Sequence, residues 1–323
     1  MDKLPAMQTF AHAAHCFAIA IACTACSDDA QVDPDTHPDT VADTGSDTHT
    51  VTDTSDASDT SGGTCPPSPG GAEPRFEPSD GRFTVSVFDG FYAQLMGAVR
   101  DGPNPSVFVE AAQRGACRKL TYTPSSCTPA CGPDAVCVAG ACQAYPTQVS
   151  VGTLTLTGVR PDAITVAPDV TEGYFWDAEG TFAPDAITLS ADGGTLGAFT
   201  LTACTPLPMA PDGDWAAVLE ARPDGADATL RWTNPVAGAR VYLRMTTGIG
   251  THGGISPVEL ECEGPDVGAL TLPGDFLDAL YAQGWSCGEC GDNRLVRYHA
   301  SEVTRGATTI ELRAAGNWLV LAS

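Results

Sequence analysis

A period of two is the strongest constraint on what this chain can fold into. Seven short stretches alternate apolar and polar residues: 83–88, 149–156, 186–189, 228–232, 240–245, 258–261 and 308–312. In an extended chain, alternation places the apolar side chains on one face, so each stretch reads as a half-buried strand. Turn-formers fall between them, among them Pro161-Asp162, Asp192-Gly193, Pro211-Asp-Gly213 and Pro223-Asp-Gly225. Many short strands with this punctuation predict an all-β fold, an antiparallel β-sandwich. One stretch departs from the pattern. Between Pro273 and Tyr281 the residues Phe276, Leu277, Leu280 and Tyr281 share one side, which predicts a single short helix.

The first part of the chain is chemically different. An apolar run from about Ala13 ends at Ala22, too short for the ~20 residues of a membrane-spanning helix, and reads as an export signal. Ala20-Ile21-Ala22-Cys23 resembles the lipobox of bacterial lipoproteins, in which the cysteine after the cleavage point is acylated; Cys26 is the second candidate. From Ser27 to Thr64 there are ten Asp and no Glu, Lys or Arg, and no aromatic residue. Such a tract cannot bury enough apolar surface to offset chain entropy, so it reads as a disordered, self-repelling spacer. The organisation expected is a signal peptide over 1–22 and a lipid anchor with linker over 23–64. A β-rich segment with a cysteine cluster over 65–147 and a sandwich domain over 148–323 follow. The net charge of −24 argues against a nucleic-acid partner.

Beyond Cys26 the chain holds ten cysteines, an even number suited to complete pairing in an oxidising compartment. Four of them, Cys127, Cys131, Cys137 and Cys142, fall within sixteen residues, where no core can form and cross-links must hold the loop. A zinc knuckle is disfavoured, because the spacing lacks the paired CxxC form and no His is near. The spacing resembles the first part of an EGF-like module, and that resemblance pairs Cys127 with Cys137 and Cys131 with Cys142. Leu230-Arg-Trp232 and Val241-Tyr-Leu243 resemble the Trp-bearing strand and its neighbour in immunoglobulin-like and fibronectin-like sandwiches.

A wider resemblance rests on several motifs taken in order. They are Gly115-Ala-Cys117-Arg-Lys-Leu, the Cys127-to-Cys131 cluster, Tyr145-Pro-Thr-Gln-Val-Ser-Val-Gly-Thr153, His252-Gly-Gly254, Leu260-Glu-Cys262 and Gly268-Ala-Leu-Thr-Leu-Pro273. From about Phe83 onward the chain is similar to a family of uncharacterised surface lipoproteins of myxobacteria and related Gram-negative bacteria. The resemblance implies an outer-membrane or cell-surface location and a β fold, and no activity. Cys204, Cys287 and Cys290 depart from that pattern and are expected in structural disulfides, within Cys287-Gly-Glu-Cys290 or to Cys204 and Cys262.

Three patterns imitate catalytic motifs. Gly248-Ile-Gly-Thr-His-Gly253 matches a dinucleotide fingerprint but lacks the following helix. Gly284-Trp-Ser286-Cys-Gly288 matches a nucleophile elbow, with Asp292 and His299 after it in hydrolase order. A helix precedes Ser286 where a strand is required. Cys287 and Cys290 form a CxxC without a thioredoxin-like βαβ unit. The sequence therefore reads as a non-catalytic, membrane-anchored binding or structural module without a cofactor or metal. A secreted hydrolase using Ser286 and a thiol–disulfide protein using Cys287 and Cys290 are the alternatives. Three aromatics in a row, Tyr174, Phe175 and Trp176, must place at least one ring outward if they lie on a strand. Together with His252 they are the expected contacts for a protein or carbohydrate ligand.

Overall fold

The computed structural model describes residues 66–76, 79–88, 90–182, 184–247, 255–284 and 293–321. The alternating stretches become strands because each has one face to bury. In chain order these are β1 (Gly81–Phe88), β2 (Tyr92–Val99), β3 (Phe108–Arg114), β4 (Cys117–Tyr122), β5 (Ala135–Val138) and β6 (Ala141–Ala144). The next group is β7 (Leu154–Thr157), β8 (Ile164–Val166), β9 (Tyr174–Glu179), β10 (Ala186–Ala191), β11 (Phe199–Cys204) and β12 (Ala228–Arg231). The last are β13 (Arg240–Thr246), β14 (Val258–Pro265), β15 (Ala269–Leu272), β16 (Arg294–Arg305) and β17 (Thr308–Val320). Two short helices interrupt them, α1 (Trp215–Glu220) and α2 (Gly274–Tyr281).

Nine strands form one large sheet in the order β3-β4-β14-β13-β16-β17-β1-β2-β9. A four-stranded sheet runs β11-β10-β7-β8, and β12-β15 and β5-β6 are two-stranded. The architecture is mainly β, as expected, with three corrections. The sheet is mixed, because β1 runs parallel to β17, with Phe83 opposite Leu312 and Val85 opposite Ala314. A parallel pair needs a long connection, and here most of the chain lies between the partners. The segments on either side of Thr147 share this sheet, since β1 pairs with β17 and β4 with β14. Among the described residues there are two α-helices rather than one: α1 is N-capped by Asp214, whose side chain accepts from the Ala217 amide at 3.1 Å.

Register puts both hydrophobic cores on the same face of the large sheet. At one end Phe83, Val85, Leu95, Tyr174, Ile310 and Leu312 pack against Leu154, Leu156, Ile187, Leu189 and Leu201 of the four-stranded sheet. At the other, Val241, Leu243, Leu260 and Leu295 pack with Trp215, Leu230, Trp232, Phe276 and Leu280. Trp232 is buried as expected, but β12 pairs with β15 rather than with the Val241 strand β13. The chain turns away between them through left-handed Asn234 and Gly238. The Trp232 indole N–H is taken up by Asp266 at 2.7 Å.

The opposite face of the large sheet carries the polar half of each alternation. Glu259, Glu261 and Glu263 on β14 stand beside Arg240, Tyr242 and Arg244 on β13, followed by Tyr298, Glu311, Arg313 and Arg82. Residues 66–76 cross this face as a strap. Ser68 donates its amide to Gly238 O (2.9 Å) and accepts from the Ala300 amide through Oγ (3.0 Å). The Arg240 guanidinium holds the carbonyls of Gly71 and Glu73 at 2.7 and 2.6 Å and pairs with Glu263 at 2.5 Å. The Arg75 amide donates to the Glu263 carboxylate, and the Arg75 side chain pairs with Glu302 at 2.6 Å.

Candidate functional site

β9 lies at one end of the large sheet and pairs only with β2 within it, which decides how its three aromatics are used. Tyr174 points inward. It is buried, packs edge-on against Phe83 at 5.5 Å, donates its hydroxyl to Gly152 O (2.9 Å) and accepts from the Val151 amide (3.0 Å). Trp176 packs against the same core, with the Arg160 guanidinium 6.0 Å from its ring centre. Phe175 points outward and is 55 % exposed; its cross-strand partner Met96 is 48 % exposed. The expectation of one outward ring is therefore met by Phe175, while Tyr174 serves the core.

Phe175 and Met96 form one wall of an open groove of about 580 Å³ on the polar face of the sheet. Its remaining lining is charged or hydrogen-bonding: Ser79, Asp80, Arg82, Arg100, Gln148 and Asp169 bear on the chemistry. Most of these charges are engaged within the protein. Asp80 accepts from the Thr309 amide at 2.9 Å. One oxygen of Asp169 accepts from the Thr171 hydroxyl and amide, both at 2.7 Å, and from the Gly173 amide at 3.0 Å. These bonds, that from the Thr171 hydroxyl first, hold the Asp169 carboxyl below its ordinary pKa. Arg82 pairs with Glu311 at 2.8 Å.

Arg100 is different. Its backbone amide bonds Asp80 O, and among the described residues its guanidinium has no hydrogen-bond or ion-pair partner. Two buried side-chain oxygens in the lining, Ser79 Oγ and Gln148 Oε1, also lack a partner among the described residues. Arg100 and Gln148 face each other across an antiparallel β-bridge, so their side chains leave the backbone side by side.

A smaller cleft of about 230 Å³ shares Ser79, Asp80 and Arg82 with the groove and adds Arg75, Glu311 and Arg313. Glu311 is 1 % exposed and accepts from Arg82 (2.8 Å), Arg313 (2.9 Å) and Arg75 (3.3 Å). Burial pushes its pKa up, but the surrounding guanidiniums outweigh burial and hold it below the usual carboxylate value.

The cysteines fall into place unevenly. Cys127–Cys137 and Cys131–Cys142 are bonded as the EGF-like resemblance implies. The Cys127, Cys131 and Cys137 sulfurs lie within 4.8 Å of one another, but as disulfides they present no thiolate to a metal. Cys262 is bonded to Cys117 on the neighbouring strand rather than to the CxxC cysteines or Cys204. Cys204 is also disulfide-bonded. Cys23, Cys26, His252, Ser286, Cys287 and Cys290 all lie outside the described residues. His299, the third member of the hydrolase-like order, is 2 % exposed on β16, and burial pushes its pKa down.

The pattern in sequence did not point to Arg100, which falls in no motif, and Gln148 enters only within the Tyr145–Thr153 run, where no role attaches to it. What locates them is the crossing of 148 against 100 beside the β9 edge. The polar face itself was visible as the second half of each alternation, as in Val258-Glu-Leu-Glu261. No protein-family model matches the chain, and no curated protein and no solved structure is similar enough to count as a match.

Proposed function

We propose that this chain is an exported, non-catalytic binding module, held to the outer membrane or cell surface by lipid at Cys23 or Cys26 and displayed on the Asp/Thr-rich spacer. Its contact surface is the groove beside β9, and its ligand a surface protein or carbohydrate. The observation that carries this reading is the groove's composition: an exposed Phe175–Met96 pair beside Arg100, whose guanidinium has no hydrogen-bond or ion-pair partner among the described residues. An outward aromatic next to unsatisfied polar groups suits a ligand with both an apolar face and hydroxyls. The disulfides support the location, because such bonds persist outside reducing compartments. The packing of the four-stranded sheet on the large one supports the sandwich reading, and the immunoglobulin-like kind and the lipoprotein-family relationship belong to the same proposal.

Two measurements test it. Labelled palmitate supplied to expressing cells should enter the mature protein, and Cys23→Ser or Cys26→Ser should abolish the label; failure to label removes the lipid anchor. Probed against arrays of glycans and peptides, the exported chain should bind ligands whose signal falls at least tenfold in Phe175→Ala. An array signal indifferent to that change removes the groove.

A further inference from the structure

We infer that β9 is a docking edge for an extended, basic segment of a partner protein, which joins the nine-stranded sheet as a further strand. This rests on the contact surface lying beside β9, and it names the partner. The backbone argument comes first. Gly180, just past β9, donates its amide to Phe91 O, so the residues in phase with it, Tyr174, Trp176 and Ala178, exchange their hydrogen bonds with β2. Phe175, Asp177 and Glu179 fall in the other phase. Their N–H and C=O groups turn away from β2 toward the open edge, and among the described residues nothing bonds them. The β2–β9 register runs without a bulge, and β9 holds no proline. Bulges and prolines close many natural edges; here a regular row of free backbone groups is kept.

Charge is the one protective device β9 carries, and it selects the partner. The side chains of Phe175, Asp177 and Glu179 are exposed on the outer face of the sheet. Opposite them on β2 stand Met96, Gln94 and Tyr92, none of them a cation. Asp177 accepts from the Tyr92 hydroxyl at 2.8 Å, and among the described residues neither carboxylate is in an ion pair. Arg160 approaches β9 at Trp176, in the inward phase. An added strand sets one side chain opposite each outer residue. The fit is an apolar residue against Phe175 and a Lys or Arg against each of Asp177 and Glu179, which reads basic-x-basic-x-apolar in an antiparallel partner. A second copy of β9 fits poorly. The antiparallel register that uses all three residues sets Asp177 against Asp177, and the parallel one aligns every like charge.

The test uses the exported, disulfide-intact chain and a peptide with the core Lys-Thr-Lys-Thr-Val. Its controls are the isomer Lys-Lys-Thr-Thr-Val and two N-methylated forms, one blocked at the lysines and valine, the other at the threonines. In the proposed pairing the Lys and Val amides face β9 and the Thr amides face away. Titration calorimetry should show binding of the peptide and of its threonine-methylated form, roughly tenfold weaker binding of the isomer, and none of the form methylated at Lys and Val. Asp177→Asn with Glu179→Gln should weaken binding roughly tenfold, and Phe175→Ala should weaken it too. The amide introduced at 177 still accepts from Tyr92, so the double variant should match the parent in thermal unfolding. Binding that responds equally to both methylations, or to neither, overturns strand addition. No peptide binding, with an array glycan that responds to Phe175→Ala, overturns the docking edge and keeps the groove. No peptide binding, with self-association that the double variant strengthens, overturns the basic partner in favour of a second copy. No peptide binding and no array ligand sensitive to Phe175→Ala overturns both edge and groove.

Discussion

Glu311 shows how a carboxylate can be almost fully buried on the polar face of a sheet. Three guanidiniums surround it, and those of Arg313 and Arg82 lower its pKa despite the opposing effect of burial. Glu263 is held in the same direction: burial raises its pKa, and hydrogen bonds from Arg240, Tyr298 and the Arg75 amide outweigh it. For a group whose folded pKa lies below its unfolded value, the stabilisation is present above the unfolded pKa of about 4.3. It is lost as pH falls through the folded value. His299 works over a different window. Burial disfavours its charged form, so the unfolded chain takes up the proton first and stability declines as pH drops below about 6.5. Comparing the parent with Glu311→Gln at each pH cancels the His299 contribution. At pH 7 the variant should be less stable by about 2–4 kcal/mol, because Arg313 and its neighbours lose their counter-charge. In urea titrations the gap should narrow as pH falls below the unfolded carboxyl's pKa of about 4.3 and close as the parent's own carboxyl, held lower, is protonated. A gap independent of pH would assign the loss to packing rather than charge.

Among the elements, β4 and β14 are locked covalently as well as by hydrogen bonds. The Cys117–Cys262 bond joins residues directly opposite each other and closes a loop of 145 residues, against 10 and 11 for the two cluster disulfides. Chain-entropy reasoning gives about 5 kcal/mol for the long loop and about 3 kcal/mol for each short one. Replacing Cys117 and Cys262 together by Ala should therefore lower the unfolding free energy by about 2–5 kcal/mol, more than the same change at Cys131 and Cys142. Urea denaturation of the two double variants decides it, and equal losses would show that unfolded-state restriction is not the main effect. Seven of the seventeen described strands were legible as alternation. All seven alternating stretches contain or overlap a strand, and the helix predicted from Pro273 begins at Gly274. Alternation encodes which face a residue takes but not which strand lies beside it. Hence the parallel β1–β17 seam, the pairing of β12 with β15 and the Cys117–Cys262 bond were not readable locally. Helix α1 escaped because its six residues complete less than two turns, too few for a periodicity.

In the molecule as a whole, the strap and the groove occupy the same polar face, and Ser79 and Asp80 follow the strap directly into the groove wall. The strap is thus held to the sheet by side chains and single backbone bonds rather than as a strand of it. Arg240 is the centre of the clamp, because it holds two strap carbonyls and Glu263 together. The strap can make its turn there because Gly70 and Gly71 adopt positive φ; a Cβ on Gly70 would come within 2.4 Å of the Arg75 side chain. Arg240→Met keeps the apolar stem but leaves Glu263, itself fully buried, without its cation. That should cost about 3–5 kcal/mol, whereas Arg240→Met with Glu263→Leu should cost less than the single change, because no buried charge is then orphaned. Hydrogen exchange separates the clamp from general destabilisation. In the double variant the Ser68 amide, bonded to Gly238, should exchange far faster than amides of β13 and β14. If strap and sheet amides accelerate together, Arg240 supports the whole fold, and the strap does not open separately from the sheet.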